Sequence, residues 1–184
     1  PPKGARRVGK EVNDPLWGTI SLHAAEVAVV DSPVHQRLRQ IRQLGVAHYL
    51  YPSANHTRFE HSLGACFQIT RLAESINTHA REQLLDDETV RLLRLAALCH
   101  DLGHGFMSHV SDNAVRADPP VKRLLSEFRS RHGVAVQLSE VAAYLIVTSD
   151  GFKNLLRAAR AFEGGLPGDE GLATRVASLI IGRS

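Results

Sequence analysis

The chain has 184 residues, 43% of them hydrophobic and 22% charged, with a net charge of +3, the figures of a single soluble globular domain. They exclude a disordered chain, a collagen-like repeat and a mini-protein scaffold. A pI near 9.2 permits a polyanionic ligand without selecting one. A core of this size needs no covalent staples, so the two cysteines, Cys66 and Cys99, make a reducing compartment the default. The longest apolar runs, Leu95 to Cys99 and Ala142 to Val147, fall far short of the ~20 residues that span a bilayer. The basic stretch from Lys3 to Lys10 has no apolar region after it and does not read as a secretory signal. The expected location is the cytoplasm, with no membrane contact.

Periodicity is helical nearly throughout, and no two alternating segments with a tight turn between them make a convincing hairpin, so the predicted class is all-α. Pro1 to Trp17 reads as an arm or linker, leaving residues 18–184 as the domain. Ser32 as N-cap, Pro33 at the first helical position and Val34, Leu38, Ile41 and Leu44 at helical spacing predict a helix that stops at Gly45. A second helix is expected from about Phe59 to His79. A third follows the acidic cluster Asp86, Asp87 and Glu88, which suits the positive end of a helix dipole, and continues through Val90 to Leu98. It is apolar almost all round, the pattern of a central bundle helix, and it delivers His100 and Asp101 near its C-terminal end. Further helices are expected at about Val121–Arg131, Leu138–Val147, Phe152–Phe162 and Leu172–Ile181, with a loop around Glu163 to Gly171.

Three clusters gather imidazole and carboxylate beside helix ends: Arg58-Phe59-Glu60-His61, His100-Asp101-Leu102-Gly103-His104, and His109 with Asp112. A first-row divalent metal accepts neutral imidazole nitrogen and carboxylate oxygen, and mixed His/Asp ligation leaves positions for water and a phosphoryl oxygen. His61 falls toward the apolar side of its helix, where it could meet the end of the central helix and complete a three-ligand cluster. The competing reading is a buried hydrogen-bonded polar cluster that only joins helices. For His104 and His109 it is a glycine-rich turn in which histidine caps helix carbonyls. Arg58 could equally pair with Glu60 or Asp101. Cys66 and Cys99 read as core packing, and His23, His35, His48, His56 and His79 as structural or surface residues.

These residues resemble the HD phosphohydrolase superfamily: His100-Asp101 preceded by Leu-Ala-Ala-Leu-Cys, with His61 upstream. More specifically, Asp31-Ser32-Pro33, Gln36-Arg37-Leu38-Arg39, Gln43-Leu44-Gly45, Arg58 to Gly64 and the stretch His100 to His109 resemble the SAM-and-HD-domain dNTP triphosphohydrolases and bacterial dGTPase-like proteins. The resemblance runs from about Asn13 to Asp112. It implies an HD-domain helical bundle with the metal site at the end of a central buried helix. It implies His61, His100 and Asp101 as ligands of a divalent ion (Mn, Mg, Fe, Zn or Ni), His104, His109 and Asp112 as the catalytic set, Arg58 toward phosphate, and Gln43 with Leu44 toward the sugar. The implied reaction cleaves a dNTP to deoxynucleoside and triphosphate, in a homo-oligomer.

Two departures accompany the resemblance. The family's fourth ligand is a later aspartate; here Asp150 and Asp169 are the late aspartates and neither sits in a matching motif, which points to a domain lacking a C-terminal part. Where relatives often carry a His-Glu pair, His132 is followed by Gly133, or Ser139 precedes Glu140. Alternative activities are an HD phosphatase, phosphodiesterase or nuclease on another nucleotide or nucleic acid, or a catalytically impaired nucleotide-sensing module. Arg6, Arg7 and Lys10 are the residues that could meet nucleic acid, a weakly supported partner without interleaved aromatics.

Overall fold

The computed structural model describes residues 9–106, 108–161 and 171–183; within these, the side chains of His109, Arg160 and Ala161 are not described. It opens on a hairpin. Strand β1 (Lys10–Asp14) pairs antiparallel with β2 (Gly18–Leu22), Val12 opposite Ile20. The Asp14 carboxylate accepts from the backbone N–H groups of Leu16 (2.8 Å) and Trp17 (3.0 Å), and Gly18 takes a φ of 73° to close the turn. This corrects both the reading of residues 10–17 as arm and the expectation of no hairpin. The alternation is short: only Val12 marks β1, and Ile20 and Leu22 mark β2, yet both of the latter are fully buried. Of the basic residues that could meet nucleic acid, Arg6 and Arg7 lie outside the described residues, while Lys10 pairs with Asp31 at 2.6 Å.

Helix α1 (Ala24–Asp31) follows, then a single turn α2 (Pro33–Gln36), whose N-cap Ser32 accepts from His35 N–H. The expected helix to Gly45 ends early. Arg37–Gln40 tightens into a 3-10 turn and Ile41 is extended, with φ −111° and ψ 110°. Spacing of three residues suits a 3-10 turn as well as an α-helix, so Leu38 and Ile41 are buried all the same. The backbone gains other partners: Arg58 N–H donates to Ile41 O (2.8 Å), Gln43 N–H donates to His56 O (3.0 Å), and Arg42 bridges Thr57. Leu44 is left exposed.

Helix α3 (Arg58–His79) starts in a capping box between Thr57 and Glu60, and α4 (Asp87–Cys99) starts where the Asp86 carboxylate accepts from Thr89 N–H at 2.8 Å. Short α5 (His109–Arg116) leads to α6 (Pro119–His132), which stops at Gly133 in the left-handed region, φ 72°. The chain continues through α7 (Leu138–Thr148), α8 (Asp150–Ala161) and α9 (Leu172–Ile180). The expected loop at 163–171 lies almost wholly outside the described residues. The fold is mostly helical: α4 is central, packed by α3, α1 and α9, with α7 against α9. None of the described helices is long and apolar enough to cross a membrane.

One element of the core has no apolar signal. Arg94, on the otherwise apolar α4, is buried and donates to both Glu26 carboxylate oxygens (2.6 and 2.8 Å), to Ser21 O (2.8 Å) and to Thr70 Oγ1 (2.5 Å). One guanidinium therefore joins β2, α1, α3 and α4. Cys66 and Cys99 are free and buried, and burial pushes both thiols up, away from nucleophilic chemistry.

Two packing features carry predictions. Gly64 on α3 lies under the indole of Trp17; a Cβ there would stand 2.7 Å from Trp17 Nε1. Gly64→Ala is expected to cost about 1–3 kcal/mol and to push the ring toward water. Trp17 is the chain's single tryptophan, so a red-shifted fluorescence maximum with a lower melting temperature reads this directly. His35 is fully buried, with Nε2 3.1 Å from Ser62 Oγ. Burial, then the Arg39 charge, pulls its pKa to about 4, against the pull of the Leu98 backbone and Asp31. The unfolded chain therefore binds the proton first, so this stabilisation is complete above about pH 6.5 and is lost as pH falls through about 4. Its size is about 3 kcal/mol. Urea midpoints from pH 7.5 to 4 should fall more steeply for the parent than for His35→Gln.

Candidate metal centre

The site lies where the first two turns of α3 face the C-terminal end of α4. Arg58 and His61 stand three residues apart on α3 and so share a face. His100 is the C-cap of α4, still in helical conformation, and Asp101 follows it into a tight turn. His61 Nε2 and His100 Nε2 are 3.2 Å apart, with ring planes at 69°. The Asp101 carboxylate completes the group at 3.4 Å from His100 Nε2 and 3.9 Å from His61 Nε2. One ligand atom from each residue lies within 4.8 Å of the others.

The protonation pattern favours ligation. His100 Nδ1 lies 2.7 Å from Ala97 O, a bond it makes as donor, which leaves Nε2 as the ring nitrogen turned to the cluster. Burial first, with His100 and Arg58 nearby, lowers the His61 pKa despite Asp101, which favours the neutral imidazole that a metal takes. Burial raises the pKa of Asp101, but the His104 hydrogen bond, His100 and Arg58 outweigh it and hold the carboxyl well below the usual range. Two imidazole nitrogens and one carboxylate, 3.2 to 3.9 Å apart, stand at separations that neighbouring ligands take on an ion with bonds of about 2.1 Å. The donor set fits a first-row divalent cation.

Around it sits a second layer. Arg58 is 1% exposed, with Nη1 2.7 Å from Asp101 Oδ2 and Nη2 donating to Ser108 Oγ. The guanidinium is thus spent mainly on Asp101 rather than on an open phosphate face, and its buried Nε meets no hydrogen-bond partner among the described residues. His104 is held between two carboxylates, Nε2 3.4 Å from Asp101 Oδ1 and Nδ1 3.4 Å from Asp112 Oδ2. Ser108 was not singled out by sequence: it is buried, adopts φ 55°, and its hydroxyl joins Arg58 to Gln43 O (3.3 Å). Gln43 Oε1 is buried, with no hydrogen bond among the described residues. His109 opens α5 three residues before Asp112, but its side chain lies outside the described residues.

Other expected participants are elsewhere. Asp150 is 97% exposed in its side chain and faces Lys153 at 3.8 Å, so it is no fourth ligand in this structure; Asp169 lies outside the described residues. His132 stacks on Phe128 with centroids 4.2 Å apart and meets Tyr144 edge-on, while Glu140 closes the capping box of α7. Under either alignment the one remaining member of the His-Glu pair, His132 or Glu140, is in structural use.

The HD domain family matches residues 58–176, a span that contains His61, His100, Asp101, His104 and Asp112. The chain belongs to the HD domain family. Over 103 residues it is 44% identical to the human "Deoxynucleoside triphosphate triphosphohydrolase SAMHD1" and 42% identical to its bovine counterpart, covering 56% of this chain. The match spans 16% of the human protein and 18% of the bovine one, under a fifth of either length. An uncharacterized protein of Methanocaldococcus jannaschii is 44% identical over 100 residues, 54% of this chain and 20% of that protein. The HD domain and these relatives support a metal-dependent hydrolase.

Proposed function

We propose that this HD domain hydrolyses deoxynucleoside triphosphates to deoxynucleoside and triphosphate. The observation that carries the reading is the convergence of His61, His100 and Asp101 beside a buried arginine and a carboxylate-held imidazole. The substrate class rests on the printed activity of the SAMHD1 relatives. His61, His100 and Asp101 would hold the divalent ion, which when bound supplies Lewis acidity toward water and a phosphoryl oxygen.

The remaining chemistry belongs to the chain. Arg58 fixes the Asp101 carboxylate and sets its positive charge beneath the place where a phosphoryl group would bind. Asp112 and Asp101 orient His104, and His109, three positions before Asp112 in the chain, protonates the leaving 5′-oxygen. Gln43, whose buried Oε1 has no partner among the described residues, would offer an acceptor to a sugar hydroxyl, beside exposed Leu44. Exposed Val46, Tyr49, Leu50 and Tyr51 in one stretch support assembly with further copies, which sedimentation velocity tests by an excess over the 20.2 kDa monomer.

The structural use of His132 and Glu140 favours a second reading, a nucleotide-binding module without turnover. Ion-exchange analysis of products from each dNTP and NTP, with manganese or magnesium, separates the two. Triphosphate release by the parent but not by His100→Ala supports hydrolysis, and His109→Ala should lower the rate roughly 100-fold or more. Monophosphate or pyrophosphate would overturn the substrate reading, and nucleotide binding with no product would favour the module.

A further inference from the structure

Arg37 lies in the motif that marks the resemblance, yet the metal cluster and the proposed catalytic set leave it without a role. It sits on the 3-10 turn Arg37–Gln40, more than sixty positions before the residues it meets. Its Nη1 donates to His104 O at 2.8 Å and its Nη2 donates to Leu102 O. These two carbonyls lie past the end of α4, in the tight turn where Leu102 N–H donates to Cys99 O (3.1 Å) and His104 N–H donates to Asp101 O (3.1 Å). A guanidinium is the side chain whose planar fork suits two such acceptors at once, and its charge opposes the negative end of the helix dipole.

The other side of the same turn is fixed by close packing, Gly103 lying against the α7 backbone at Ser139 and Ala143. The turn is thus held between α7 and Arg37, and it carries Asp101 at one end and His104 at the other. His104 must stay within reach of both Asp101 Oδ1 and Asp112 Oδ2, each 3.4 Å away, and a shift of its backbone by a fraction of an ångström breaks one of the two contacts. We propose that Arg37 is a positioning residue: by gripping the Leu102 and His104 carbonyls it sets the His104 imidazole between its two carboxylates.

The effect on rate rests on the proposed hydrolysis, so the test has one arm that needs no substrate. Arg37→Ala should keep the parent's metal content, lower kcat roughly 10- to 100-fold and leave KM within about twofold. Arg37→Lys, a single ammonium unable to span both carbonyls, should fall between. Because Arg37 reaches the turn from an exposed position, free guanidinium at low concentration can enter the vacated place. It should restore part of the lost kcat where potassium chloride of equal ionic strength does not. In parallel, the imidazole ¹⁵N–¹H signals of His104 should move in Arg37→Ala and return with guanidinium, whether or not any dNTP is cleaved. A parent that hydrolyses no dNTP while His104 shows this displacement and return would sink the hydrolase reading and keep the positioning role. Unmoved His104 signals, or a rate loss that guanidinium leaves untouched, would overturn it.

Discussion

Asp101→Ala should abolish metal binding and hydrolysis and should also destabilise the fold by roughly 3–5 kcal/mol, because two independent jobs end at one carboxylate. Asp101 is 4% exposed and its partner Arg58 is 1% exposed, so the substitution leaves a guanidinium buried without its counter-charge. Ser108 Oγ is the one remaining side-chain partner among the described residues, and a neutral hydroxyl does not replace a carboxylate. For a chain of this length the loss corresponds to a fall in melting temperature of roughly 6–20 °C. His61→Ala gives the contrast. His61 is more exposed and supports no buried charge, so it should lose the ion while melting within a few degrees of the metal-free parent. Calorimetry of metal-free proteins checks both. Equal melting temperatures for Asp101→Ala and the metal-free parent would show that Arg58 does not depend on Asp101.

Gly103→Ala is expected to be comparably damaging through sterics alone. A Cβ there would fall on the carbonyl oxygen of Ser139, 2.5 Å from Ala143 N and 2.9 Å from Ala142 Cβ. Two of these atoms are α7 backbone, which cannot turn aside as a side-chain end can, so α7 must part from the turn. The expected cost is about 3 kcal/mol or more, beyond the usual range for overpacking, with a melting temperature lower by roughly 6–12 °C. The same displacement moves the turn that joins Asp101 to His104, so metal affinity should fall although no ligand has changed. Thermal denaturation by circular dichroism with a metal titration reads both. A Gly103→Ala protein with parental stability would mean that α7 does not pack on the turn as described.

The legible parts of the fold are those with local signals. Helical periodicity placed α3 and α6 to α9 within a few residues, and the acidic cluster Asp86, Asp87 and Glu88 marked the start of α4. What sequence missed depends on partners far along the chain. The 3-10 turn after Gln36 exists because Ile41 and Gln43 bond to the segment entering α3, and Leu38 and Ile41 satisfy either helix type. Hairpin β1–β2 shows only three inward apolar residues, and Arg94 is buried only because Glu26, Ser21 and Thr70 converge on it.

The candidate centre divides in the same way. His61, His100 and Asp101 were readable as donor types in a recognised order, and the structure brings them together. Arg58 was read toward phosphate, but its depth directs it first to Asp101. Ser108 and Arg37 carry no chemical signal as single residues; their parts arise from a backbone turn and from two carbonyls that sequence does not display.

The central claim is that α3 and α4 together hold one divalent ion on His61, His100 and Asp101. The most direct measurement is metal content by plasma mass spectrometry after dialysis against each candidate ion, for the parent, His61→Ala and His100→Ala. About one ion per chain is expected for the parent and a small fraction of that for each variant, since losing one of three protein ligands removes most of the affinity. Equal occupancy in all three proteins, or none in the parent with any of the five metals, would contradict it.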